Sequence, residues 1–260
     1  MNDPVAIAQG DAHESGHACR RIIIEATSAA LWRDARDACD NALAQGHAFV
    51  AILRGMEAFA DERVLTEEDR QRAARYRQAA DRHNFVLGRN LVHHLVRARG
   101  ESTPCRFSIG PHGKPYLPGA PAYNLSHSGR WVACAVSHDN SIGIDVETFA
   151  RLKNYRDLLT TIAHPTECRC IERATEEHGL ALFKRCWTRK EAILKATGEG
   201  LNDNLHAIDV CLEQHEPVLD HPASLRLMQL ETDHKEATIA LALNPTVSGV
   251  VAMFVGESNT

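Results

Sequence analysis

Apolar positions change period several times along this chain. Residues 17–45 carry Ile22, Ile23, Ala26, Ala30 and Leu31 among alanines and charges, a helical spacing. Residues 48–53 are an unbroken apolar run of strand length and read as the first core strand. Thr66 with Asp69 three positions later is a variant capping box; it predicts a long basic helix to about Arg99, with Gly88 tolerated inside it. Residues 104–121 are turn-rich. A strand over 131–137, a turn at Asp139-Asn140 and a strand over 141–146 follow. Helices are then expected at about 155–160, 166–178 and 180–197, and strands at 207–212, 224–230, 238–243 and 249–255. The class is α/β (α+β). Residues 1–45 read as a helical extension, and 46–140 and 141–260 as two halves that each contain helices and end in an apolar strand.

Composition narrows the function. The chain has 260 residues, 44% hydrophobic and 24% charged, and a net charge of −5, which argues against a nucleic-acid binder by bulk charge. Arg70, Arg72, Arg75, Arg77, Arg82 and Arg89 nevertheless crowd one segment. They suit an anionic ligand, or else a solvated helix face balanced by Glu67, Glu68, Asp69 and Asp81. No apolar run is long enough to span a membrane, and the Met-Asn-Asp-Pro start shows no secretory pattern. The eight cysteines are irregularly spaced without a Cys-x-x-Cys, so reduced thiols and a cytoplasmic location are expected. His13-Glu14-Ser15-Gly16-His17 satisfies the zinc-protease pattern, but that chemistry needs a rigid buried helix and a third ligand, and Gly16 lies inside the motif.

Two segments carry candidate chemistry. Within Ile142-Gly143-Ile144-Asp145-Val146-Glu147, a strand sets Asp145 and Glu147 on one face. Within Trp187-Thr188-Arg189-Lys190-Glu191-Ala192-Ile193-Leu194-Lys195, a helix sets Glu191 and Lys195 one turn apart. Lys190 is rotated off that line, towards solvent or an acidic neighbour. Three carboxylates and an ammonium can converge, an inventory for holding a hard divalent cation against a diphosphate.

These two segments resemble the signature pair of the 4′-phosphopantetheinyl transferases, of the larger surfactin-synthetase-activating type. Gly113-Lys114-Pro115, the segment Asn124-Leu125-Ser126-His127-Ser128-Gly129-Arg130-Trp131, and the basic helix ending Asp81-Arg82-His83-Asn84-Phe85-Val86-Leu87-Gly88-Arg89 agree in order and spacing. The resemblance implies a pseudo-dimer of two similar lobes, each an antiparallel-rich sheet packed with helices, with the ligand between them. It implies transfer of 4′-phosphopantetheine from coenzyme A to a serine of an acyl or peptidyl carrier protein, releasing 3′,5′-ADP. Mg²⁺, with Mn²⁺ as a substitute, would sit on Asp145, Glu147 and Glu191. Glu191 is the expected base, with Glu147 the competing one, and Lys195 the expected partner of the leaving phosphate. Arg72, Arg75, Gly113, Lys114, Ser126 and His127 would hold coenzyme A. Asn84 stands where relatives often carry a basic residue. A monomer without nucleic-acid or membrane partners is expected. The rival readings are an inactive coenzyme A-binding protein and a zinc hydrolase.

Overall fold

The apolar run at 48–53 becomes β2 (Ala48–Arg54), the middle of a five-stranded sheet. Both faces of β2 are buried, which is why its sequence is continuously apolar. The structure is a computed structural model and describes residues 19–23, 31–56, 59–97, 104–110, 113–148, 154–199, 205–220, 223–232 and 237–256. Among these, β1 (Cys19–Ile23), β5 (Ala122–Ser128), β6 (Trp131–Ser137) and β11 (Val250–Gly256) complete the sheet in the order β1-β11-β2-β6-β5. The β1–β11 and β11–β2 pairings are parallel; β2–β6 and β6–β5 are antiparallel. The sheet is therefore mixed, where an antiparallel-rich one was expected.

The expected helix over 17–45 is also corrected. Its first part is β1, whose backbone pairs with β11; only α1 (Leu31–Ala44) is helical. Leu31, Ala35, Cys39, Ala42 and Leu43 recur at helical spacing and are buried in the same core cluster as Phe49, Leu53, Leu91 and Met253. This α-helix belongs to the core of that unit and is not an appendage to it. β1, α1 and β2 form a crossover in which β11 is the strand between the two parallel ends.

The long basic helix is interrupted. Thr66 caps α2 (Glu67–Ala73), its side chain accepting from Asp69 N–H. The turn then tightens, with Arg75 N–H donating to Arg72 O and Tyr76 N–H to Ala73 O, and α3 (Ala79–Leu95) starts afresh. The break lets Tyr76 fold onto Phe85, with ring centroids 5.6 Å apart. A short hairpin, β3 (Ser108–Ile109) and β4 (Pro115–Tyr116), lies in the turn-rich stretch.

The chain divides into two compact units. The first holds the described residues up to Gly110, Pro115–Asn140 and those from Thr246 onward; the second holds those of Pro111–Lys114 and Ser141–Pro245. The last strand, expected in the second half, thus returns to the first sheet.

The second unit has its own sheet of β7 (Ile142–Glu147), β10 (Thr238–Leu243), β9 (Leu225–Leu230) and β8 (Val218–Leu219), antiparallel throughout. Short α4 (Leu159–Ile162), α5 (Pro165–Arg173) and the long α6 (Glu176–Thr197) pack around Phe183, Ile193, Leu227 and Ala240. α5 begins with a capping box from His164 and Glu167 and with Pro165 at the first position. α6 ends at Gly198, which adopts the left-handed conformation (φ +79°).

The strand expected at 207–212 is absent. That stretch is a 3₁₀ turn followed by irregular chain, with Cys211 at φ +50° and its N–H taken by Asp209 Oδ1. Its carbonyls are bonded by side chains of α6, as described below, and so need no ladder partner.

Candidate active site

In the second unit β7 runs against α6, and Gly143 sets how closely. A Cβ at that position would stand 2.1 Å from Ala192 O and 2.4 Å from Ala196 N, backbone atoms that cannot swing aside. Only glycine allows this approach. It carries Asp145, two residues along the strand, to Lys195, whose Nζ donates to Asp145 Oδ1 at 2.7 Å. The Asp145 carboxylate is 4% exposed. Glu191, one turn before Lys195, has Oε1 buried without a hydrogen-bond donor. Its carboxyl pKa is raised, first by burial, then by the Asp145 charge and further by Glu147, with Lys195 opposing. The four residues are thus one electrostatic group. Among the described residues, no three His, Cys, Asp or Glu side chains are gathered as a ready-made metal centre.

Lys114 belongs to this unit as well. Its Nζ donates to Ile142 O at 2.9 Å and Ala196 O at 3.4 Å, tying the start of β7 to the last turn of α6. Burial lowers its pKa to about 8. Gly113, immediately before it, sits at φ +83°.

The opposite side of α6 is a buried polar anchor. Lys190, 1% exposed, donates to Glu167 Oε2 at 2.8 Å, Leu205 O at 2.8 Å and Ile208 O at 2.6 Å. Glu167 also accepts from His164 N–H, Val210 N–H and the Cys186 thiol. Arg189 is fully buried and donates to Val210 O, Cys211 O, Gln214 O and His215 O. Two adjacent residues of α6 therefore hold the segment 205–215. The alternative of a solvated face for Lys190 is excluded; the acidic neighbour is Glu167.

Arg72, Arg75, Ser126 and His127 lie in the first unit. Ser126 is buried and His127 exposed, on alternate faces of β5, an edge strand. Asn84 is buried on α3, and its amide donates to Gly129 O in the tight turn between β5 and β6. In place of a cation, this position thus holds the hairpin. Arg72 and Arg75 are exposed, and the Arg72 guanidinium lies 5.4 Å from the centre of the Phe85 ring. Both line a groove of about 1610 Å³ that also includes Arg70, Arg89, Phe107 and Ile109. Arg89 is committed to Asp69 at 2.8 Å and lies over Phe107. The His13–His17 pattern lies outside the described residues.

A family model described as the 4′-phosphopantetheinyl transferase superfamily matches residues 141–242. The chain is 30% identical to the 4′-phosphopantetheinyl transferase HetI of Nostoc sp. over 188 residues, covering 69% of this chain and 79% of the relative. It is 27% identical to the 4′-phosphopantetheinyl transferase Sfp of Bacillus subtilis over 186 residues, 68% and 82% of the two chains. It is 30% identical to a putative 4′-phosphopantetheinyl transferase of Synechocystis sp., where the match spans 56% of this chain and 61% of the relative.

The chain belongs to the 4′-phosphopantetheinyl transferase superfamily. It is an enzyme of that superfamily, and the matched region contains β7, α5 and α6 with Asp145, Glu147, Glu191 and Lys195. The transferase family pattern brought out the residues that face the carboxylate group but not those behind it. Glu167 and Arg189 were missed. The capping-box spacing from His164 to Glu167 was a local signal, yet only the fold reveals that the same carboxylate reaches Lys190.

Proposed function

We propose that this enzyme transfers the 4′-phosphopantetheine group of coenzyme A to a serine hydroxyl of an acyl or peptidyl carrier protein. The serine oxygen attacks the phosphorus that carries pantetheine, the bond to the bridging diphosphate oxygen breaks, and 3′,5′-ADP leaves. The observation that carries this reading is the group of Asp145, Glu147, Glu191 and Lys195, with a buried carboxylate oxygen of Glu191 that has no donor.

Glu191 takes the serine proton in this scheme. Burial and two neighbouring carboxylates raise its pKa, which brings its basicity nearer to that needed at neutral pH. Glu147 is the alternative base. The residues present fit Mg²⁺ or Mn²⁺: the donor set is all carboxylate oxygen, and one oxygen, on Glu191, lacks a partner. Sites for Mg²⁺ commonly use one or two carboxylates together with substrate phosphates, so a preassembled protein cage is not required. When bound, the cation supplies charge to the diphosphate as negative charge develops on it. Asp145, Glu147 and Glu191 would hold it.

Lys195 serves the leaving phosphate, and Lys114, next to the left-handed Gly113, serves the nucleotide end. Arg72, Arg75, Ser126 and His127 are further proposed contacts for coenzyme A; exposed guanidiniums suit a phosphate, and that of Arg72 lies beside the Phe85 ring. The two compact units correspond in this reading to the family's two lobes. Among the described residues no helix is long and apolar enough to cross a membrane. A cytoplasmic monomer acting on carrier proteins is part of this proposal.

The test is intact mass measurement of purified apo carrier proteins, from fatty-acid and peptide-synthetase systems, after incubation with the enzyme, coenzyme A and Mg²⁺. At least one carrier should gain the phosphopantetheine mass, and EDTA should prevent the gain. Coenzyme A binding without a gain on any carrier would favour the inactive binding protein.

A further inference from the structure

Lys195 stands where the proposed chemistry would put a different cation. Its ammonium is 2.7 Å from Asp145 Oδ1, and that carboxylate is 4% exposed. On α6 Lys195 lies one turn from Glu191, another of the carboxylates. The two other lysines near this part of α6 bond elsewhere: Lys190 to Glu167 and two carbonyls, Lys114 to Ile142 O and Ala196 O. Lys195 is therefore a positive charge held against Asp145 in the ligand-free enzyme.

Resting on the reading above, we propose that Lys195 is an internal counter-ion that competes with the divalent cation for Asp145 and thereby couples cation binding to diphosphate binding. An ammonium is a compact, strongly hydrated charge on a flexible stem, able to change partners within reach. A divalent cation arriving alone must displace this ammonium from a nearly buried carboxylate, or share that carboxylate with a like charge. Both raise the free energy of binding. A diphosphate alters the balance, because it offers the ammonium a second anionic partner. Lys195 can then leave Asp145 without losing its pairing. Cation and coenzyme A consequently favour each other's binding, and by linkage the effect is equal in both directions.

The experiment is Mn²⁺ binding read by electron paramagnetic resonance of the free ion, with and without saturating coenzyme A, in the full chain and in the variants Lys195→Gln, Lys195→Met, Lys195→Arg and Asp145→Asn. Folding of each variant is checked by its thermal transition. In the unaltered enzyme, coenzyme A should tighten Mn²⁺ binding by about tenfold or more, a coupling of about 1.4 kcal/mol. Either neutral variant should bind Mn²⁺ alone about tenfold more tightly than the unaltered enzyme, and coenzyme A should tighten binding there by less than it does in the unaltered enzyme, keeping only the share that comes from direct contact of the diphosphate with the ion. Lys195→Arg, which keeps the charge, should behave like the unaltered enzyme. Asp145→Asn should bind Mn²⁺ poorly under both conditions. If a folded neutral variant binds Mn²⁺ alone no more tightly than the unaltered enzyme, while coenzyme A still promotes binding there, the competition is refuted and the metal reading stands. If neither the unaltered enzyme nor any variant binds Mn²⁺ even with coenzyme A, the metal reading fails and this proposal with it.

Discussion

Replacing Lys190 should damage the fold far more than the chemistry, although its sequence neighbour Glu191 belongs to the candidate active site. The two point about 100° apart on α6. Lys190 uses its three donor hydrogens on Glu167 Oε2, Leu205 O and Ile208 O, inside a region where both charged side chains are essentially unexposed. Lys190→Met keeps most of the stem volume and removes the charge. The Glu167 carboxylate then stays buried with only neutral donors, and two carbonyls lose their partner. Removing one member of a buried pair costs roughly 3–5 kcal/mol. Against a native stability of about 5–15 kcal/mol, that is a large fraction. With a urea slope of about 2 kcal/mol/M, a loss of about 4 kcal/mol lowers the midpoint by about 2 M. The assay is urea unfolding followed by circular dichroism, for Lys190→Met, Glu167→Gln and the double variant. The double variant should lose less than the sum of the single changes, because it leaves no uncompensated charge. Turnover well below the transition, on the folded fraction, should stay within several-fold. A midpoint shift equivalent to less than about 1 kcal/mol, together with abolished turnover, would refute the argument and make Lys190 a participant in the reaction.

Gly143→Ala should cost at least about 3 kcal/mol, since overpacking is relieved here only by moving backbone; an unchanged urea midpoint would mean that β7 and α6 can separate freely. Glu191→Gln should raise the melting temperature in EDTA at pH 8. The folded-state pKa of Glu191 is raised above its unfolded value, so the ionised group destabilises the fold above that raised pKa, and the penalty fades as pH falls towards the ordinary carboxylate value. The advantage of Glu191→Gln should therefore shrink between pH 8 and about pH 4.5; a constant difference across that range would remove the electrostatic account of Glu191.

What the sequence disclosed follows from the range of the forces involved. Glu191 and Lys195 share a turn of one helix, and Asp145 and Glu147 one strand, so period alone set each pair on a common face. The strands β9, β10 and β11 were legible because their burial is continuous along the run. β5 was not. Its residues are polar and half-exposed at a sheet edge, so composition reads as loop, and the ladder with β6 is set by the hairpin turn that Asn84 holds from α3. The segment 207–212 failed in the opposite sense. Ile208, Val210 and Leu212 are indeed buried, but Arg189 and Lys190 satisfy the carbonyls of this stretch from α6, which removes the need for a neighbouring strand. Hydrophobic pattern reports burial, and burial requires only that the backbone be bonded, not by what. A strand and an irregular segment bonded by buried cations therefore share a pattern. They are told apart by where an arginine and a lysine on another element happen to reach. The same reasoning applies to the basic segment: six arginines within 70–89 suggested one continuous helix, yet the chain breaks between α2 and α3, where Tyr76 packs on Phe85. The candidate chemistry was legible to the extent that it was local. The parts that position it were not, because Gly143, Glu167 and Asn84 act through partners tens of residues away.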